Sequence, residues 1–120
     1  MIDCFAVGLG GFLGSVLRYL AGKIPLETHG FPVHTLCINV IGSFVIGCIA
    51  CLVSKNPHID PRWILFFKVG ICGGFTTFST FSLETQQLMH TGQYVMAALY
   101  ILLSMILGVF AVFASQWIIK

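Results

Sequence analysis

The chain has 120 residues, of which 58% are hydrophobic and 8% charged, and its formal net charge is +2. A soluble domain carries roughly 25% charged residues, so this composition excludes a soluble globular protein and points to an all-α integral membrane protein. A spanning helix needs about 20 mostly apolar residues, and the four stretches that qualify leave no room for a soluble domain.

The first stretch runs from about Cys4 to Ala21. A secretory signal places positive charge before its apolar core. Here the leading flank is acidic, with Asp3, and the basic Arg18 and Lys23 come late. This helix is expected to be retained. Gly8, Gly11, Ser15, Arg18 and Gly22 recur at spacings of three and four, which places them on one face. Gly10 and Gly14 form a GxxxG beside it, suited to close helix packing in lipid. Arg18 is an intramembrane charge near a helix end: it either serves a vestibule or snorkels to the interface.

Pro25, Gly30 and Pro32 mark the first connection. The second stretch runs from about His34 to Val53, with Thr35, Asn39, Gly42 and Ile46 on one face and Ser43 alongside. Asn39 must find a partner in lipid. It either makes an interhelical hydrogen bond or offers an amide donor to an anion path. The chain's five cysteines, Cys4, Cys37, Cys48, Cys51 and Cys72, all fall in apolar stretches. An odd count there argues against a disulfide framework. Cys48 and Cys51, a C-x-x-C on a lipid-embedded helix, read as small packing residues.

Asn56, Pro57 and Pro61 mark the second connection. The third stretch, from about Trp63 to Met89, is interrupted by GICGGFTTFSTFS, residues 70–82. Three glycines precede five hydroxyl residues, with Phe75, Phe78 and Phe81 between them. Irregular backbone at membrane depth survives only inside protein or along a watery cavity. A helix break near residues 73–77 is therefore expected, and with it the functional site. Freed carbonyls at such a break can bind a cation, and exposed amides an anion. Thr77, Thr80 and Glu84 share a face. The phenylalanines fall every third residue on another face, where they either pack or aim their positive ring edges into a narrow path.

Gly92 marks the last connection. The fourth stretch, from about Val95 to Ile119, carries Tyr100, Ser104, Gly108, Ala111 and Ser115 on one stripe. This is a small-residue packing seam or, beside Asn39 and the third-helix hydroxyls, part of a polar track.

Basic residues in short loops orient helices. One side holds Lys55, Arg62 and Lys120, with Lys68 at greater depth; the other holds Arg18 and Lys23. So small an excess suits either one fixed orientation or a dual topology. Four packed helices fill their own core, so a path for an ion most simply forms between subunits. With the two-fold dimer the commonest symmetry, a homodimer is expected.

Three motifs resemble the small bacterial fluoride channels called Fluc or CrcB. GGFLGSVLRY, residues 10–19, is similar to the first-helix pattern G-x-x-x-R-[YF]. TLCINVIGSFVIG, residues 35–47, is similar to the second-helix pattern T-L-x-V-N-x-x-G-x-F-x-x-G. GICGGFTTFSTF, residues 70–81, is similar to the third-helix pattern G-x-x-G-G-x-T-T-F-S-T-F. The last is the most specific, and the fourth helix has no sharp motif. His34 departs from the pattern, in which many members carry glycine before Thr-Leu. It lies near a helix end and is not expected to alter the pore.

The resemblance implies a passive fluoride channel of the bacterial inner membrane, an antiparallel dual-topology homodimer with two pathways. It implies that Phe78 and Phe81 line the path as an aromatic box, with Asn39 as a donor and Ser82, Tyr100 and Ser104 as a polar track. It implies a structural sodium ion at the dimer centre, held by the backbone carbonyls of Gly73 and Thr76. Arg18 and Glu84 match family positions without an assigned role. Such parts suit fluoride: neutral donors replace its tightly held water without trapping it, and conduction requires exit as well as entry.

The alternative is a small multidrug-resistance-type, proton-coupled exporter, also of four helices. It needs a membrane-embedded carboxylate in the first helix, where this chain has only Asp3 at the very start and carries Arg18 instead.

Overall fold

The computed structural model describes residues 1–119; Lys120, counted above among the basic residues of one side, lies outside the described residues. All regular structure described is helical: α1 Ile2–Ala21, α2 Val33–Lys55, α3 Pro61–Ile64, a π-helical segment Leu65–Cys72, α4 Gly73–Phe75, α5 Phe78–His90 and α6 Tyr94–Ile119. Four helical runs are long and apolar enough to cross a membrane, the third being the interrupted run Pro61–His90.

Helix ends follow local chemistry. Asp60 caps α3 by accepting from the Arg62 N–H at 3.0 Å, and Pro61 follows at the first helical position, where its missing N–H costs nothing. After α5, Gly92 adopts φ +82°. This left-handed turn lets the Gln93 N–H reach back to the Leu88 carbonyl at 2.8 Å, closing the helix as glycine stops commonly do.

The helices pack in two pairs, α1 with the third run and α2 with α6. Glycine sets the first pair. A Cβ on Gly10 would overlap the Phe66 carbonyl oxygen, and one on Gly14 the Ile71 carbonyl oxygen. Gly70 and Gly74 answer from the other side, against the backbone of Gly10 and Gly11. The buried seam is therefore Gly10 and Gly14, the GxxxG beside the predicted stripe, whereas Gly8 of that stripe faces open space. Lipid supplies no hydrophobic drive between helices, so van der Waals contact between close backbones holds the pair.

The second pair uses the fourth-helix stripe as a seam. Ser115 is fully buried and Ala111 nearly so, and a Cβ on Gly47 would overlap the Ser115 hydroxyl. Ser115 satisfies its own hydroxyl by donating to the Val112 carbonyl at 2.7 Å. A small core of Leu88, Ala97 and Tyr100 joins α5 to α6, with Phe31, Leu36, Phe81 and Met96 packed around it. The exterior carries large exposed apolar side chains such as Phe12, Ile106, Phe110 and Phe113, as a lipid-facing surface requires.

Candidate functional site at the third-helix break

Two residues part α4 from α5. Thr76 has φ −83°, ψ 157° and Thr77 has φ −149°, ψ 120°, so the backbone is extended where the third run crosses the middle of the bundle. Glycines at 70 and 74 allow the close contact with α1, and the π-helical turns of Leu65–Cys72 add further irregularity; such turns are frequent at functional sites.

Extended backbone in an apolar setting must still be paired. The Asn39 side chain supplies the pair. Its Nδ2 donates to the Thr77 carbonyl at 3.0 Å, and its Oδ1 accepts from the Thr77 N–H at 2.8 Å. Ser43 in turn donates to the Asn39 carbonyl at 2.8 Å. Arg18 enters from α1 and donates its Nε–H to the Gly74 carbonyl at 3.1 Å. The Thr77 hydroxyl oxygen caps α5, accepting from the Thr80 N–H at 3.2 Å.

The break takes helical donors away from several carbonyls, those of Gly73 and Thr76 among them. In a continuous helix the Thr77 N–H would reach Gly73 and the Thr80 N–H would reach Thr76. Here the first is turned to Asn39 and the second to the Thr77 side chain. Gly73 is exposed and Thr76 half-buried, and both line the cavity beside Asn39 and Phe78.

The aromatic residues form one chain of rings. Phe78 and Phe81 lie 5.6 Å apart between centroids, Phe81 and Tyr100 5.0 Å, and Tyr100 and Phe31 5.6 Å in an edge-on arrangement. Burial falls steeply along it: Tyr100 is 0% exposed and Phe78 78%. Phe75 stands apart from this chain, its ring beside Gly42 of α2.

The Tyr100 hydroxyl donates to Glu84 Oε1 at 3.0 Å. The Ser104 hydroxyl is buried without a hydrogen-bond partner among the described residues. Ser82 is exposed and donates back to the Phe78 carbonyl at 3.0 Å, an ordinary intrahelical bond. Asn39 and Thr77, Arg18 and Gly74, Phe81 and Tyr100, and Tyr100 and Glu84 are thus brought together, while Ser82 is tied to its own helix. Thr77, absent from the predicted site, is its structural hub. The sequence signal for it was the run of hydroxyls just before the α5 apolar residues, which is where N-caps fall.

Two cavities flank this hub. One, of about 310 Å³, is lined by Asn39, Ser43, Gly73, Thr76, Thr77 and Phe78. The other, of about 730 Å³, opens toward the α1–α2 connection and is lined by Arg18, Lys23, His34, Thr80 and Glu84, again with Thr77. His34 Nε2 donates to the Ile24 carbonyl at 2.6 Å, so it ties that connection over the larger cavity.

The family model described as "CrcB-like protein, Camphor Resistance (CrcB)" matches residues 5–116. The chain belongs to the CrcB family. Its relatives include the "Fluoride-specific ion channel FluC" of Elusimicrobium minutum (strain Pei191), 48% identical over 123 residues, covering 98% of this chain and 95% of that protein. The protein of the same name from Shewanella amazonensis (strain ATCC BAA-1098 / SB2B) is 44% identical over 121 residues, covering 99% and 97%. That of Leptospira interrogans serovar Lai is 41% identical over 116 residues, covering 95% and 91%. The helices of this CrcB-family protein are those of a multi-pass membrane protein, and the pairing and capping at its third-helix break arise from residues of the second and third motifs.

Proposed function

We propose that this chain is one four-helix membrane domain and works as a fluoride-selective passive channel, releasing the ion from the cytoplasm across the bacterial inner membrane. The single observation that carries this reading is the paired break, where neutral donors, ring edges and two cavities meet at Thr77, in a chain whose near full-length relatives bear the name of fluoride channels. No reaction is catalysed; the ion moves down its electrochemical gradient.

Arg18 and Lys23 beside the larger cavity raise the local concentration of anions, as cationic clefts do. Past them the donors are neutral. An amide nitrogen has two N–H groups, and Asn39 uses one on Thr77, leaving the other for an anion. Ser104 holds a buried hydroxyl with no partner among the described residues, a free donor at a cost of about 1–3 kcal/mol when unpaired, which a passing anion would offset. Tyr100 donates to Glu84 and serves fluoride only by releasing that bond. Phe78 and Phe81 offer ring edges, and Ser82, which donates to the Phe78 carbonyl, serves the ion only by releasing that bond.

The channel is an antiparallel, dual-topology homodimer with two pathways. The largely exposed Phe78 and the open cavity beside it support a second copy closing this face. A structural sodium ion fits two of the carbonyls stripped of their helical donors, those of Gly73 and Thr76. Uncharged backbone oxygens at unwound helix are sodium ligands in other membrane proteins, and a two-fold axis would double the set. The ion would neutralise carbonyls that otherwise lack partners.

Purified protein in liposomes loaded with potassium fluoride should release fluoride on addition of a potassium ionophore. The same vesicles loaded with chloride should retain it. Equal chloride release, or no fluoride release, overturns the reading.

A further inference from the structure

A third cavity, wholly apolar and of about 350 Å³, lies at the opposite end of α2 from the large vestibule. Ile49, Leu52 and Val53 of α2 form one wall, Trp63, Ile64 and Phe67 the other, and Ile59 of the connection closes the top. None of these residues belongs to the pathway described above. Trp63 stacks on Phe67 with centroids 5.8 Å apart, which holds the second wall flat. A tryptophan at a helix start is typical of the membrane–water boundary, so this groove begins at headgroup level and runs inward along α2 and the third run.

The rim of the groove is cationic. Lys55 follows Val53 by two residues and Arg62 precedes Trp63; both are exposed. The one acid nearby, Asp60, has its carboxylate turned to the Arg62 backbone N–H as a helix cap. Lys55 donates to the Ile119 carbonyl at the end of α6, and an ammonium has two further donors. At the deep end Lys68 is exposed next to Phe67, with no ion-pair partner among the described residues. A charge on the lipid face of a membrane helix requires an anion or an interface to snorkel to. Charge and shape therefore agree: an apolar slot for a hydrocarbon chain beneath a rim where Lys55, Arg62 and Lys68 outnumber Asp60, the acid nearby among the described residues.

We propose that this groove holds one acyl chain of an anionic phospholipid whose headgroup phosphate is bound by Lys55 and Arg62. The site is independent of the channel reading, since it needs only that the chain lie in a bilayer. Basic pockets between membrane helices bind anionic headgroups in this manner.

The chain has two tryptophans, so Trp117→Phe, at a 76% exposed position, leaves Trp63 as the sole fluorescent reporter inside the groove. That protein is placed in phosphatidylcholine vesicles containing equal small fractions of either dibrominated phosphatidylglycerol or dibrominated phosphatidylcholine. The phosphatidylglycerol should quench Trp63 preferentially. Adding Lys55→Gln or Arg62→Gln should each lower the relative affinity for phosphatidylglycerol by about fivefold, and the two together by about 25-fold. Leu52→Phe, which fills the slot and keeps both charges, should lower it as well. Equal quenching by the two lipids overturns the proposal, as does a preference that survives neutralisation of both cations. Absence of quenching by either lipid also overturns it, because the groove is then covered by a second copy of the chain.

Discussion

Asn39 and Thr77 exchange two hydrogen bonds, of 3.0 Å and 2.8 Å, between the side chain of one and the backbone of the other. One amide thereby does for a broken helix what the helical ladder does elsewhere. Asn39→Ala leaves a half-buried N–H and C=O unpaired, at about 1–3 kcal/mol for each such group. The expected result is a lower unfolding temperature in detergent together with loss of fluoride flux. Unchanged stability would mean that Thr77 finds other partners and that the pair is incidental.

Close backbone contact between α1 and the third run predicts a contrast between glycines of one helix. In Gly14→Ala the new methyl meets the Ile71 carbonyl oxygen and the Phe75 nitrogen. Backbone cannot step aside as a side chain would, so overpacking should cost about 1–3 kcal/mol. Gly8→Ala meets nothing and should be neutral or stabilising by about 0.5–1 kcal/mol. Thermal unfolding of the two variants side by side checks this, and equal losses would remove the close approach as the cause.

Phe78 and Phe81 should separate flux from folding. Phe81 packs on the fully buried Tyr100, so Phe81→Ile forfeits an aromatic pair worth about 0.5–1.5 kcal/mol. Phe78 also pairs with Phe81 but is largely exposed in the single chain, so Phe78→Ile should cost less stability than Phe81→Ile. Both variants should lose most of their fluoride flux while remaining dimeric by cross-linking. Wild-type flux in both would return the rings to packing.

Arg18 reaches the Gly74 carbonyl through Nε. Arg18→Lys keeps the charge but not the planar guanidinium, and the two are not equivalent at a directed contact. Flux should fall in the lysine variant even at low salt. If lysine restores full flux, the residue acts through its charge alone.

Sodium dependence offers a test of the freed carbonyls of Gly73 and Thr76. Protein purified and reconstituted without sodium, with a large organic cation in its place, should show reduced flux that returns on adding sodium. Full activity after removal verified by elemental analysis would leave those carbonyls to another partner.

Much of this was legible in residue chemistry and spacing. The four apolar runs appear because a bilayer demands about twenty apolar residues in a row, a requirement each run meets within itself. The break was legible for the converse reason: glycines and hydroxyls at membrane depth can be accommodated only as irregular backbone. Other readings depended on geometry. The GxxxG of Gly10 and Gly14 was legible as a packing seam, but only the packing shows that Gly8 of the neighbouring stripe meets nothing while Gly10 and Gly14 meet backbone. Phe75 shared its spacing with Phe78 and Phe81, but the chain bends between them, and the ring falls beside Gly42.

Composition and local pattern thus determine that the chain spans a membrane, how many times, and where its third helix must fail, since each is a property of a single segment in lipid. Partner choice is decided in three dimensions. Asn39 serves Thr77 and Arg18 serves Gly74, because a polar group excluded from water takes whichever partner helix packing brings within hydrogen-bond reach, and residues 38 or 56 positions apart along the chain carry no local trace of that meeting.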